Sequence, residues 1–95
     1  WRGKNPIQRN AIIALGNFKD KTAVPKLREM LLKDARPVIR GTIAWSLSRI
    51  GGAEALEAVK AGLEREQEHE VIERLLTAQH ILEEVEQSEQ EAGVQ

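Results

Sequence analysis

The sequence predicts an all-α fold: an α-solenoid of two-helix repeats, about two and a half repeats and five helices long. The first observation behind this is self-similarity. Displaced by 32 residues, Leu15 meets Leu47, Ala23 meets Ala55 and Leu31 meets Leu63, with Ile7 on Ile39, Phe18 on Ile50, Lys33 on Arg65 and Asp34 on Glu66. A weaker third copy sets Ile43 against Leu75 and Ile50 against Leu82. The second is spacing: Ile7, Ala11, Ala14, Leu15 and Phe18 recur at helical intervals, as do Ile39, Ile43, Leu47 and Ile50. The third is composition. Aromatics make up 3% of the 95 residues (Trp1, Phe18 and Trp45, with no Tyr), too few for an all-β core of this size.

Each element has its own start and stop signals. A first helix over about 6–18 begins with Asn5 as N-cap and Pro6 at the first helical position. A second, about 22–33, takes Thr22 as N-cap, places Pro25 in the first turn and buries Val24, Leu27 and Leu31. Asp34 caps a third, about 36–50, with Pro37 in the same permitted place; Gly51–Gly52 ends it. The fourth, about 53–65, carries Leu56, Val59 and Leu63. The fifth, about 68–86, has a broad apolar stripe (Val71, Ile72, Leu75, Leu76, Ala78, Leu82 and Val85) and a polar opposite face. That is the pattern of a terminal capping helix. The expected organisation is a linker at 1–5, a repeat domain at 6–86 and a disordered acidic tail at 87–95. The start at Trp1 reads as a piece of a longer protein.

The net charge of −1 hides a division. Residues 1–50 hold eleven Lys/Arg against three Asp/Glu, net +8, and residues 51–95 hold three against twelve, net −9. A basic half suits phosphate. With no cysteine, the chain has no thiol nucleophile and no thiolate ligand for zinc or an iron–sulfur cluster. His69 and His80 share a helix face but stand roughly 16 Å apart along the axis, too far to share a metal. Ser46 and Ser48 lack an activating base, so the expectation is no catalytic, cofactor or metal site in this chain.

The strings ALGNFKDKTAVPKLREMLLKD and VIRGTIAWSLSRIGGAEALEAVKAGLERE resemble the short HEAT-like repeats also found in phycobilin lyases. More specifically, Trp1-Arg2-Gly3-Lys4-Asn5-Pro6-Ile7-Gln8-Arg9-Asn10-Ala11 followed by Ala14-Leu15-Gly16-Asn17 resembles the junction into the C-terminal repeats of the bacterial epoxyqueuosine reductase family. The resemblance implies a cytoplasmic parent oxidoreductase of tRNA queuosine biosynthesis that uses cobalamin and two [4Fe–4S] clusters. The repeats are then an accessory domain that binds the tRNA anticodon stem-loop beside a catalytic domain of the same chain. No run of 18 apolar residues offers a transmembrane helix, and neither a membrane nor DNA is an expected partner. Arg2, Gly3, Lys4, Arg9 and Asn10 carry over as an RNA-facing or domain-junction patch.

Among the other cations, Arg40 is read as structural, paired with Asp20 or Asp34, and Arg36 as free for RNA. Lys19 and Lys21 flank a turn, where cations also serve solubility, and Lys26 and Lys33 share one face of the second helix. With Arg2, Lys4, Arg9 and Arg36 as the main expected RNA contacts, these four lysines are expected as outer contributors. Phe18 and Trp45 are read as core, and Trp1 as either an RNA contact or an interface plug. The alternative function is a protein-interaction scaffold, which would show exposed apolar or aromatic anchors in place of gathered cations.

Overall fold

A computed structural model describes the backbone of residues 9–93 and the side chains of residues 9–85. Five α-helices follow in order: α1 (Arg9–Asn17), α2 (Val24–Lys33), α3 (Pro37–Ile50), α4 (Ala53–Arg65) and α5 (His69–Gly93), with a 3-10 turn at Lys21–Ala23 before α2. No strand occurs among the described residues. The helices form two layers. α1 packs on α3 and α3 on α5 in one layer, while α2 packs on α4 in the other.

The core lies between the layers and is built from the residues that the 32-residue period selects. Leu27 and Leu31 of α2, Ile43 and Leu47 of α3, Val59 of α4 and Leu75 of α5 are all buried. α1 departs from its expected stripe. Ile12 and Gly16 are its buried residues, whereas Ala11 is exposed and Phe18 is 81% exposed. The cause is close contact with α3: the buried Ser46 hydroxyl donates to the Ile12 carbonyl at 2.9 Å, and a Cβ on Gly16 would lie 2.7 Å from Ser46 Oγ. This rolls α1 so that Ala11 and Phe18 face away from the core. Gly16→Val is therefore expected to cost about 1–3 kcal/mol through overpacking. The urea midpoint should fall at an unchanged m-value.

The caps also differ from expectation. Asp20, not Thr22, caps the 3-10 turn by accepting from the Thr22 N–H at 3.0 Å. At α3, Arg36 occupies the N-cap position without a side-chain cap bond; Asp34 accepts from the Arg36 N–H at 2.9 Å and so shapes the approach to the helix. The Asn5–Pro6 start and the 1–5 linker lie outside the described residues. Gly51 and Gly52 take φ of +79° and +98° and turn the chain between α3 and α4, as their composition requires.

α5 caps the C-terminal end of the stack. Val71, Leu75, Ala78 and Leu82 are buried, while His69, Glu73, His80, Glu83 and Glu84 are exposed. Of the broader stripe expected there, Leu76 and Val85 lie at the surface, 51% and 45% exposed. The helix continues to Gly93, although the composition from residue 87 onward predicts a disordered tail. Gln87–Ala92 contains good helix formers and no breaker, so the backbone bonding propagates until the glycine.

Candidate nucleic-acid interface

The cations singled out in the sequence occupy separate parts of the surface. Arg2, Gly3 and Lys4 lie outside the described residues. Arg9 opens α1, exposed, and its Nε donates to Thr42 Oγ1 of α3 at 3.3 Å; Asn10 beside it is exposed. Lys26 and Lys33 both reach Glu29, at 3.5 and 3.6 Å, with all three side chains more than half exposed. Pairs of that kind contribute little to stability, but Glu29 lowers the charge that α2 offers to an anion from +3 (Lys26, Arg28 and Lys33) to +2.

Arg36 is not free. Its Nε and Nη2 grip Asp34 Oδ1 and Oδ2 at 2.9 and 2.8 Å, and these bonds hold the Asp34 carboxyl below its ordinary range. The planar guanidinium fork matches a carboxylate as well as it matches a phosphate, and the carboxylate is two residues away. Arg40 is structural, as its place in the repeat predicts, but its partner is Glu66. Nε and Nη2 meet the two Glu66 carboxylate oxygens at 2.8 Å each, and Nη1 donates to the Asp34 carbonyl at 2.7 Å. Arg40 thus ties the loop after α2 to the loop after α4.

Lys19 and Lys21 define the clearest exposed basic edge. α1 ends in a Schellman turn: the Asp20 N–H donates to the Leu15 carbonyl and the Lys19 N–H to the Gly16 carbonyl, both at 3.1 Å. The turn forces Lys19 to φ +53°; the repeat-equivalent Gly51 also takes a positive φ, +79°, without a Cβ penalty. Lys21 opens the following 3-10 turn, and its Nζ lies 3.8 Å from where a Cβ on Gly52 would stand. The two interhelical turns therefore meet along one edge, where exposed Lys21 lies beside Gly52 and exposed Lys19 precedes Lys21 by two residues.

Three residues outside the expected set form a second basic surface, on the outer face of α1, α3 and α5. Trp45 is 37% exposed rather than core, and the Arg49 guanidinium sits 5.8 Å from its ring centroid. Arg74 projects from α5, its Cδ 2.9 Å from where a Cβ on Gly41 would stand. The repeat carries the signal for this: Trp45 corresponds to Ile13 and Thr77, and a large aromatic between a half-buried and an exposed position belongs to a surface, not to the core.

A family profile described as HEAT repeats matches residues 4–78. The chain belongs to the HEAT-repeat family. Among proteins similar to this HEAT-repeat chain, an epoxyqueuosine reductase of Listeria monocytogenes is 59% identical over 75 residues, which is 79% of this chain and 20% of that protein. One from Bacillus subtilis is 54% identical over 70 residues, 74% of this chain and 18% of that protein. The HEAT-repeat chain thus spans about a fifth of the length of these curated relatives. Among solved structures, an epoxyqueuosine reductase crystallised with a tRNA-Tyr epoxyqueuosine-modified stem-loop superposes with a TM-score of 0.75 at 47% identity. The match covers 87% of this chain and 22% of that one.

The iron–sulfur clusters that the resemblance implies for a parent enzyme need thiolate ligands. The chain has no cysteine for a cluster. Its two histidines are each engaged by a glutamate one turn on, His69 with Glu73 at 3.2 Å and His80 with Glu84 at 2.8 Å. Among the described residues, no three of His, Cys, Asp and Glu converge as a metal site, and no helix is long and apolar enough to cross a membrane.

Proposed function

We propose that this chain is the HEAT-repeat portion of an epoxyqueuosine-reductase-type protein of the cytoplasm, that it holds the tRNA stem-loop by its backbone, and that it performs no chemistry itself. The likeness to a reductase solved with a tRNA stem-loop carries the reading. Cobalamin and the two [4Fe–4S] clusters then belong to the remainder of the longer protein. Phosphate contacts orient an RNA without reading its sequence, so base selection falls to the catalytic pocket of that remainder. Lys19 and Lys21 are the principal contacts on this side of the repeats, with Arg9, Asn10, Arg2, Gly3 and Lys4 toward the N-terminal end and Lys26 and Lys33 as outer contributors.

The N-terminal end of the stack supports docking to that remainder. The C-terminal helix α5 exposes Glu73, Glu83, Glu84, His69 and His80 together with Leu76, Ile81 and Val85. The N-terminal end offers Ala11 and the 81% exposed Phe18, an apolar surface suited to another packed unit.

Lys19 provides the sharpest test. A lysine in the left-handed region gives up about 1 kcal/mol relative to glycine, a cost consistent with a role for its charge. Lys19→Gly is expected to raise the melting temperature while weakening tRNA stem-loop binding. Lys19→Glu with Lys21→Glu should reduce the log–log salt slope by about 0.7–0.9 for each phosphate that is no longer neutralised. Glu83→Gln is the neutral control. If Lys19, Lys21 and Arg9 charge reversals leave affinity unchanged across a salt titration, the basic surface serves domain docking and the RNA assignment is wrong.

A further inference from the structure

Three adjoining hollows run across the outer face of α1, α3 and α5. One of about 460 Å³ has Trp45, Arg74, Ala78 and Ile81 in its walls. A second, about 170 Å³, lies between Arg9, Ile13, Thr42 and Trp45. The third, about 270 Å³, joins them through Arg9, Thr42, Glu70 and Arg74. The result is one continuous groove with the Trp45 indole in two of its hollows and the Arg9 and Arg74 guanidinium groups along it.

None of Arg9, Arg49 and Arg74 forms an ion pair with a carboxylate among the described residues. This sets them apart from Arg36 and Arg40, whose forks are filled by Asp34 and Glu66. Arg9 and Arg74 line the groove, and Arg49, over the Trp45 ring at 5.8 Å from its centroid, is displaced when a base takes that face; indole and cations together satisfy two needs of one ligand class. The indole face stacks on a π surface, and the cations take the phosphates on either side of it. Two acids also line the groove, Glu70 and Glu73, and His69 engages Glu73 at 3.2 Å. They repel a continuous phosphate strand along α5, so the groove suits one unstacked nucleotide with its phosphates toward Arg9 and Arg49, not a helical stem.

We propose that this groove is a nucleotide site: an unpaired base of the bound RNA stacks on Trp45, flanked by Arg9, Arg49 and Arg74. The proposal rests on the tRNA reading above and adds a second contact region, separate from the Lys19–Lys21 edge. It gives the repeats a preference for RNA with a loop or free end over a blunt duplex, which backbone contacts alone do not confer.

Fluorescence of the Trp1→Phe chain, in which Trp45 is the sole tryptophan, tests this directly. A tRNA anticodon stem-loop is expected to quench its emission, and a blunt duplex of the same stem is not. Trp45→Leu should weaken stem-loop binding about 5- to 150-fold, the range for removing one base–aromatic stack, and leave duplex binding unchanged. Arg74→Met, which keeps an uncharged apolar stem against Gly41, should weaken stem-loop binding and reduce its salt slope; circular dichroism melts confirm folding of each variant. Stem-loop binding that leaves Trp45 emission unchanged and survives Trp45→Leu would overturn the groove as a nucleotide site, while the tRNA reading would stand on the lysine edge. Absence of any RNA binding would remove both. Quenching by an acidic amphipathic peptide and not by RNA would give the groove to a protein partner, also against the proposal.

Discussion

Arg40→Met is expected to destabilise the fold by about 3–5 kcal/mol, a large part of the stability of a domain this size. The Arg40 side chain is 14% exposed and its Glu66 partner 3% exposed. Removing the guanidinium leaves a buried carboxylate unpaired, and it also strips the Asp34 carbonyl of the donor that Arg40 supplies. A Glu66→Gln variant should lose less, because a neutral amide still accepts from Arg40. The effect depends on pH in a definite direction. The hydrogen bonds from Arg40 hold the Glu66 carboxyl below its ordinary value of 4.5, as Arg36 does for Asp34. Such a group contributes stability above the unfolded-state value, and the contribution disappears as pH falls through the lowered folded-state value. Melting temperatures of wild type and Arg40→Met from pH 7 to pH 3 should converge at the acid end. A gap of constant size would show that Arg40 acts through packing of its stem rather than through its charge.

The same loop shows how far the sequence can be read. The 32-residue offset places Asp34 on Glu66 and marks Arg40 as part of the scaffold. Its partner is not legible there, because the candidate acids that are nearer than Glu66 along the chain, Asp20 and Asp34, do not supply the carboxylate that meets it in space. Stacking one repeat on the next brings Glu66 to Arg40, while the Asp34 carboxylate turns back to Arg36. Arg36 looks available in the sequence for the same reason: a local pair over two residues depends on loop backbone geometry, which no periodicity encodes.

The aromatics escape the sequence for a different cause. Helical spacing shows that a stripe exists but not which of its edges another helix covers. In α3 the stripe through Ile39, Ile43 and Leu47 is buried, and Trp45, on another side of the helix, lies at the surface. In α1 the apolar stripe is real, but Gly16 against Ser46 fixes the roll and leaves Phe18 outside. The outer groove is invisible for a related reason: Arg9, Trp45 and Arg74 come from three helices of one layer, and only that layer brings them together. The basic first half is legible as a charge, but its division into paired and exposed cations is not.

Leu75→Ala is the second large effect, expected to cost about 2–5 kcal/mol. Leu75 is fully buried on the face of α5 that packs on both α3 and α4, so truncation leaves a cavity where the last helix closes the stack. Its neighbour makes the comparison decisive. Leu76 is 51% exposed, and Leu76→Ala removes the same atoms from the same helix. It should change stability by no more than about 0.5 kcal/mol, because surface substitutions away from specific contacts stay within that range and alanine is the better helix former. Urea unfolding of the two variants separates packing from propensity. A midpoint displaced for Leu75→Ala alone establishes α5 as the docked cap of the solenoid. Equal midpoints would mean that α5 does not pack on α3 and α4 as described.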